Sequence, residues 1–277
     1  WNRFAARTPR PLSSIILPSP IKDALMADIH SFLKSEEWYK NLGIPYRRGY
    51  MLHGPPGTGK SSFIFAVAGA LKMNLCLVNL SMPGLTDADL SNLLSSSPKN
   101  SILVFEDVDV SMGKHVKGPR GSTAGKEDEG DDGDKKDKSS LDENETKSQV
   151  TLSGLLNSLD GIVAQEGRIV FLTTNNLASL PAALLRPGRV DRRFLFPTAD
   201  ADVAARLFQR FYGMDLGEEK ALTLGFKIAE KLGVGKDGNG LGVAQLQGLY
   251  LRYREEPSSV LDHTDEFLAE LEQDAKD

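Results

Sequence analysis

The stretch GPPGTGKS, residues 54–61, places the strongest constraint on what this chain can fold into. It satisfies the pattern G-x-x-x-x-G-K-[ST], with a short apolar run before it and a helical pattern after it. The glycines let backbone N–H groups turn inward around phosphates, and the N-terminus of the following helix favours negative charge. The stretch therefore predicts a strand, a phosphate-binding loop and a helix in direct succession.

Short β-rich runs alternate with helical patterns on both sides of this loop. Apolar residues recur at helical spacing over residues 63–71 and 152–159. Continuous apolar strands between amphipathic helices indicate an α/β fold, with a central parallel sheet flanked by helices. The predicted strands are residues 50–52, 75–80, 101–105, 169–173 and 194–196.

The patterns predict two domains. Residues 1–198 would form a large α/β ATP-binding domain, and residues 199–277 a small helical domain in the manner of a lid. The predicted C-terminal helices are residues 203–212, 220–232, 243–253 and 260–272. Within the large domain, residues 111–148 are Gly, Ser, Lys and acidic residues, too polar to offset the entropy of ordering, so we predict a disordered acidic insertion.

Composition excludes some classes of protein and compartment. The net charge of −5 gives no reason to expect a nucleic acid as partner. Cys76 is the only cysteine, so no disulfide can form within the chain, and we expect it in the core of a protein from a reducing compartment. Because the chain begins at Trp1 rather than Met, we expect it to be a piece of a longer protein.

The phosphate loop predicts ATP and Mg²⁺ as ligands. The Lys60 ammonium would reach the β- and γ-phosphates, and the Ser61 hydroxyl would complete the magnesium shell. The residues predicted to hold the nucleotide are Gly54, Pro55, Pro56, Gly57, Thr58, Gly59, Lys60, Ser61 and Ser62. His53, just before the loop, is expected to pack at the strand end.

Three acids follow the predicted strand 101–105, in the stretch ILVFEDVDV. Glu106, Asp107 and Asp109 would be costly there unless their charge meets a cation, although they could merely terminate the strand. Chains that hydrolyse ATP with a phosphate loop usually carry Asp then Glu at this point, whereas this chain carries Glu then Asp. The order raises the question of which acid serves the metal ion and which the attacking water.

These motifs, with TTNN at residues 173–176 and LPAALLRPGRVDRRF at residues 180–194, follow one another as in AAA ATPases. The resemblance implies that Asn175 contacts the attacking water or the γ-phosphate. It also implies that Arg189 and Arg192 reach into a neighbouring subunit's nucleotide, where arginine stabilises charge that develops during phosphoryl transfer. The alternatives for both arginines are salt bridges within the chain, as with Asp191, or solvation.

The stretches GIPYRRGYMLHGPPGTGKSSFI (residues 43–64), FEDVD (105–109) and GVAQLQG (242–248) closely resemble the Bcs-type mitochondrial AAA ATPases. The resemblance implies a homo-oligomeric ring, a heptamer, in the mitochondrial inner membrane with its ATPase module in the matrix. It implies that the cargo is the folded Rieske iron–sulfur protein, translocated during assembly of respiratory complex III. It also implies that a membrane helix and a family-specific middle domain precede this module.

In either order of the acidic pair, the first acid ends the strand at the magnesium site and the second lies nearer the γ-phosphate. We therefore assign Glu106 to the metal and Asp107 to orienting the attacking water. The alternative has Glu106 as base, with Asp107 or Asp109 supporting magnesium. Gln245 is the candidate for contact with nucleotide from the small domain, because no arginine stands in residues 242–248.

The resemblance predicts a ring translocase or assembly chaperone driven by ATP hydrolysis. Residues 79–90 contain no aromatic side chain of the kind with which ring unfoldases grip an extended chain, so threading of an unfolded chain is poorly supported. We hypothesise that the acidic insertion crowds or charges the matrix mouth of the ring. The functional alternatives are an AAA remodeller of the same branch with another cargo and an ATP-binding scaffold with little turnover.

Overall fold

A computed structural model describes residues 1, 10–113, 149–160, 166–235 and 240–274 of the 277-residue chain. Within these ranges, no helix combines the length and the apolar character that crossing a membrane requires. Most of the predicted acidic insertion, residues 114–148, lies outside the described residues. Its first three residues differ from the prediction, because a helix that starts at Val108 continues to Gly113.

Five parallel strands form one sheet in the order β2-β3-β4-β1-β5. They are β1 (Arg47–His53), β2 (Asn74–Val78), β3 (Ser101–Phe105), β4 (Arg168–Thr174) and β5 (Arg192–Leu195). The predicted parallel sheet is confirmed. Because the strands run in one direction, their carboxyl ends meet at a single edge, which is where ligands bind in folds of this kind.

Ten α-helices accompany these strands in the described part of the chain. They are α1 (Ser19–Leu33), α2 (Glu36–Leu42), α3 (Lys60–Leu71), α4 (Asp87–Ser95), α5 (Val108–Gly113), α6 (Leu152–Asp160), α7 (Ala201–Leu216), α8 (Glu218–Lys231), α9 (Val243–Arg252) and α10 (Thr264–Asp274). The sequence patterns do not predict α1, α2, α4 or α5. The predicted helix 260–272 is interrupted, because a 3-10 turn, Pro257–Leu261, precedes α10.

Apolar residues on the two faces of the sheet form separate cores, as alternation along a strand requires. Tyr50 and Leu52 of β1 pack in one core with Phe63 of α3. Met51, between them, packs in the other core, which contains Leu155 of α6. Cys76 of β2 is buried in that second core, as predicted.

A third core joins α7, α8, α9 and α10. At Gly225 of α8, an added Cβ would lie 2.8 Å from the backbone of Ala205 in α7, so glycine permits the close approach of these two helices. The boundary between domains at residues 198 and 199 stays a prediction. Short contacts cross it, including the hydrogen bond at 2.9 Å from the Ala244 N–H to the Gly57 carbonyl.

Candidate nucleotide site

The phosphate loop connects the end of β1 to the start of α3, and its glycines adopt backbone angles that other residues disfavour. Gly54, Gly57 and Gly59 have φ angles of 142°, 74° and 94°. At Gly54 a Cβ would also lie 2.1 Å from the Phe196 carbonyl oxygen. The buried Thr58 hydroxyl donates to the Pro55 carbonyl at 2.9 Å, so the loop holds its shape through its own contacts.

Lys60 is buried beside the carboxyl ends of the strands. Its ammonium donates to the Gly54 carbonyl at 2.7 Å, the Pro55 carbonyl at 2.8 Å and the Asn175 side-chain oxygen at 2.8 Å. Burial lowers the pKa of Lys60, and the negative charges of Asp107 and Asp109 oppose that shift. The ammonium is therefore held in a fixed position between the loop and the acidic strand end.

Asp107 and Asn175 meet at the ends of β3 and β4. The Asn175 amide nitrogen donates to Asp107 Oδ1 at 3.4 Å, and the Thr173 hydroxyl accepts the Asp107 N–H at 3.0 Å. Asp107 has a φ of 46°, a left-handed conformation that Asp and Asn adopt more readily than most residues. The structure thus brings together three predicted site residues, since Lys60 contacts Asn175 in the same place.

The donor atoms present suit Mg²⁺, which takes oxygen ligands from one or two carboxylates together with phosphates and water. The Ser61 and Asp107 side chains belong to the cavity wall. Asp109 Oδ1 is buried without a hydrogen-bond partner, so the acidic strand end has unused capacity for a cation. Glu106 is half-buried and is not part of the wall that contains Asp107.

A cavity of about 300 Å³ adjoins the phosphate loop and extends to the C-terminal helices. The Ala244 N–H of α9 donates to the Gly57 carbonyl at 2.9 Å, so the loop and α9 are in direct contact. Beyond the loop, the wall includes the apolar residues Ile15, Ile16, Leu207 and Val243, a surface suited to a flat aromatic base. The residues of this wall that the sequence analysis missed are Arg10, Ser14, Ile15, Ile16, Leu207, Val243, Ala244 and Gln247.

Gln245 does not line the cavity. Its side-chain oxygen accepts the Gly242 N–H at 2.8 Å and so caps the first turn of α9. Gln247, two residues later, is on the wall instead, because residues two apart on a helix point in nearly opposite directions. The predicted contact of Gln245 with nucleotide therefore has no support in this arrangement.

Arg189 forms an ion pair within the chain, as in the alternative to a contact with a neighbour, but its partner is Asp160 rather than Asp191. Its Nε donates to Asp160 Oδ2 at 2.6 Å, and Arg47 lies 3.6 Å from the other oxygen of that carboxylate. Asp191 instead accepts the N–H groups of Gly49 at 2.8 Å and Gly188 at 2.9 Å. The Arg189 side chain is only 15% exposed, against 39% for that of Asp160.

Arg192 stands at the start of β5 and is more accessible, with 48% of its side chain exposed. Its guanidinium lies 3.9 Å from Asp28 of α1 and 5.8 Å from the centre of the Phe194 ring. Asp28 also accepts two hydrogen bonds from Arg48, at 2.8 and 3.0 Å, and one from the Tyr50 hydroxyl at 2.8 Å. Neither Arg189 nor Arg192 lines the cavity beside Lys60.

The chain is similar to known proteins over most of its length. The family model for the ATPase family associated with various cellular activities (AAA) matches residues 50–198. The chain is 39% identical to a Dictyostelium discoideum protein named probable mitochondrial chaperone BCS1-A, over 95% of this chain and 56% of that protein.

Two further relatives are both named mitochondrial chaperone BCS1. That of Danio rerio is 37% identical over 94% of this chain and 56% of its own length, and that of Homo sapiens 37% over 93% and 55%. The chain thus spans about half the length of the curated relatives it matches. The resemblance to Bcs-type proteins is confirmed, and the match over residues 50–198 shows that the chain belongs to the AAA family of ATPases.

Proposed function

We propose that this chain is the Mg²⁺-dependent ATPase module of a homo-oligomeric ring, a heptamer, in the mitochondrial inner membrane. The ring is a chaperone of respiratory complex III assembly, and it translocates the folded Rieske iron–sulfur protein from the matrix side. The observation that carries the ATPase assignment is the contact of Lys60, Asn175 and Asp107 at the carboxyl edge of the sheet. The names of the relatives support the chaperone assignment.

The side chains around the loop have different roles in hydrolysis. The Lys60 ammonium binds the β- and γ-phosphates, while the N–H groups of the loop surround the phosphates next to the ribose. Asp107 accepts a hydrogen bond from the attacking water and orients it, and Asn175 holds the other side of that water. Their mutual contact at 3.4 Å supports this assignment, because both groups point at one place.

Ser61 and Glu106 would hold the magnesium ion, with the unpartnered Asp109 oxygen nearby. When bound, Mg²⁺ neutralises charge on the phosphate oxygens. Glu106 follows the last residue of β3 directly, so its position is fixed by a strand in which all five residues are buried. Asp107 is the acid on the cavity wall, which favours it over Glu106 as the group that orients water.

Arg189 and Arg192 act on the nucleotide of the neighbouring subunit. Arg192 pairs with Tyr50 in the sheet, three residues before the end of β1 at His53. At the rise of a strand, this separation is roughly 10 Å, which directs the arginine away from the chain's own phosphate loop. An arginine that is supplied by a neighbour makes hydrolysis depend on the ring.

A mixing experiment tests the ring and its arginines together. Lys60→Ala removes the phosphate-binding ammonium and keeps both arginines, whereas Arg189→Ala keeps the ammonium and removes one of the arginines. We expect each variant alone to lose hydrolysis about a thousandfold or more, and an equal mixture to recover a measurable part of it. In the mixture, an intact loop of one variant meets the intact arginine of the other.

The control is a mixture of Arg189→Ala with the double variant Lys60→Ala/Arg189→Ala, which contains no intact arginine at position 189. No recovery in the first mixture, despite co-assembly shown by light scattering, would contradict the action of Arg189 on a neighbour. A native chain that binds ATP but shows no turnover at any protein concentration would favour the scaffold over the motor.

The cargo is tested in cells, with the longer protein to which this module belongs. We expect its loss to leave complex III without the Rieske iron–sulfur protein, and expression of the Lys60→Ala form not to restore it. Complex III of normal composition in such cells would favour another cargo.

A further inference from the structure

Arg10 brings a positive charge to the nucleotide cavity from a part of the chain remote from every motif. Its Nε donates to the Ser14 hydroxyl at 3.0 Å and its Nη1 to the Ser62 hydroxyl at 3.4 Å. Ser14 belongs to the 3-10 turn Leu12–Ser14, and Ser62 is the third residue of α3, directly after Ser61. The guanidinium therefore joins the segment before α1 to the first turn of the phosphate-loop helix.

Arg10 and Lys60 are the two cations among the described residues of the cavity wall. They lie on different sides of the start of α3. Lys60 is its first residue and Arg10 contacts Ser62, and residues 60 and 62 point in nearly opposite directions on a helix. Lys60 faces the strand ends through Asn175, whereas Ser62 faces Arg10. Lys60 thus lies on the side of the acidic strand end, and Arg10 lies on the other side of the start of α3.

No carboxylate within the described ranges forms an ion pair with Arg10. The wall on its side continues into the apolar residues Ile15 and Ile16, which suit a base rather than a phosphate. Arg10 shares the cavity wall with both the loop and these apolar residues, and in a nucleotide the phosphate nearest the ribose lies between the base and the terminal phosphate. Planar guanidinium groups bind phosphate oxygens through paired N–H donors.

We propose that Arg10 is a nucleotide-binding residue that contacts the phosphate nearest the ribose, so that it supports ATP and ADP binding equally. This inference rests on the proposed ATPase function. α9 presents Val243, Ala244 and Gln247 to the cavity and brings no cation to it. Among the described residues, Arg10 supplies from the N-terminal side a charge that no residue of the C-terminal helices brings to the cavity wall.

Equilibrium binding by titration calorimetry tests the proposal with ADP and with Mg-ATP at several salt concentrations. We expect Arg10→Ala to weaken the binding of both nucleotides by the same factor, roughly tenfold. Because a charged contact is lost, the dependence of affinity on salt should become weaker. Arg10→Lys should restore part of the affinity, and Arg254→Ala, which removes an exposed arginine outside the cavity, should change neither quantity.

The remaining outcomes overturn the proposal in different ways. An effect on ATP alone would assign Arg10 to the terminal phosphate. Equal losses with an unchanged salt dependence, reproduced by Ser14→Ala, would reduce Arg10 to holding the 3-10 turn in place. Unchanged affinities would remove Arg10 from the site while the ATPase function stands. A native chain that binds neither nucleotide would overturn the proposed function itself.

Discussion

The Lys60 ammonium and the Asn175 side-chain oxygen lie 2.8 Å apart, and this hydrogen bond joins the start of α3 to the end of β4. The Asn175 amide nitrogen faces Asp107 on its other side. One asparagine thus contacts both the group proposed to bind phosphate and the group proposed to orient water. Its removal is expected to harm turnover more than binding.

We expect Asn175→Ala to lower the rate of ATP hydrolysis by about 10²- to 10³-fold, with ATP affinity changed only a few-fold, since the proposed role of the amide is to hold the reacting water. Steady-state hydrolysis and calorimetric binding measure the two quantities. Asn176→Ala is the matched control, because that side chain caps a short 3-10 turn by accepting the Ala178 N–H. A parallel loss of binding and rate in Asn175→Ala would contradict the assignment.

Substitutions of the two acids after β3 are expected to affect different quantities, one the rate of turnover and the other the binding of nucleotide. Asp107→Asn should bind Mg-ATP normally and lose about 10²- to 10⁴-fold in rate, the usual contribution of a proton-accepting group. Asn also tolerates the left-handed backbone at position 107, so the change removes charge without added strain. Glu106→Gln should instead weaken metal-dependent binding. If Glu106→Gln traps bound ATP while Asp107→Asn loses metal binding, the two roles are reversed.

Asp28 is expected to make the free energy of unfolding depend on pH. Burial alone would raise the pKa of Asp28, but hydrogen bonds from Arg48 and Tyr50 and the Arg48 charge outweigh it, so the net pKa is lowered. The carboxylate therefore contributes full stability above its ordinary pKa, and this contribution is lost as pH falls through the lower, folded-state pKa. Asp28→Asn should cost about 1 to 3 kcal/mol of unfolding free energy at neutral pH.

Urea unfolding of the native chain and Asp28→Asn at a series of pH values measures this contribution. The difference between the two should shrink as the solution is acidified. Asp23→Asn, an exposed position on the same helix, is the control and should show little difference at any pH. A difference for Asp28→Asn that is constant with pH would mean that packing, not charge, is lost.

Arg168 is expected to stabilise the end of α4. This arginine is 4% exposed and donates to the carbonyls of Leu94 and, at 3.0 Å, Ser97. Arg168→Met keeps the unbranched stem of the side chain but leaves the Ser97 carbonyl without this donor, at a cost of about 1 to 3 kcal/mol. Denaturant unfolding measures the cost, with the exposed Arg186→Met as control. An unchanged midpoint would show that removing the buried charge offsets the lost hydrogen bonds.

Sequence patterns predict the parts of this fold that depend only on neighbouring residues in the chain. The strand 101–105 is found with its predicted bounds, because all five of its residues are buried and the pattern is continuous. The phosphate loop is found between β1 and α3, where its glycines require positive φ angles. α2 escapes prediction because it buries none of its side chains fully, whereas α1 has Leu25, Ile29 and Phe32 buried at helical spacing and nevertheless escapes prediction.

The site beyond the loop could not be predicted in the same way. Ile15, Leu207 and Val243 meet only through tertiary packing, at separations along the chain where no spacing rule applies. Gln245 and Gln247 are chemically identical, and the register of α9 alone decides which of them reaches the cavity. The pairing of Arg189 with Asp160 rather than with its near neighbour Asp191 likewise depends on tertiary packing and not on spacing along the chain.

A main-chain hydrogen bond, from the Ala244 N–H to the Gly57 oxygen, joins α9 to the phosphate loop. No exchange of one side chain for another removes either atom, except for proline at position 244, which has no N–H. Substitutions can therefore change the side chains of the surrounding wall while this hydrogen bond is retained. Among related chains, preference for one nucleotide over another can change without altering the way in which the loop is attached to the C-terminal helices.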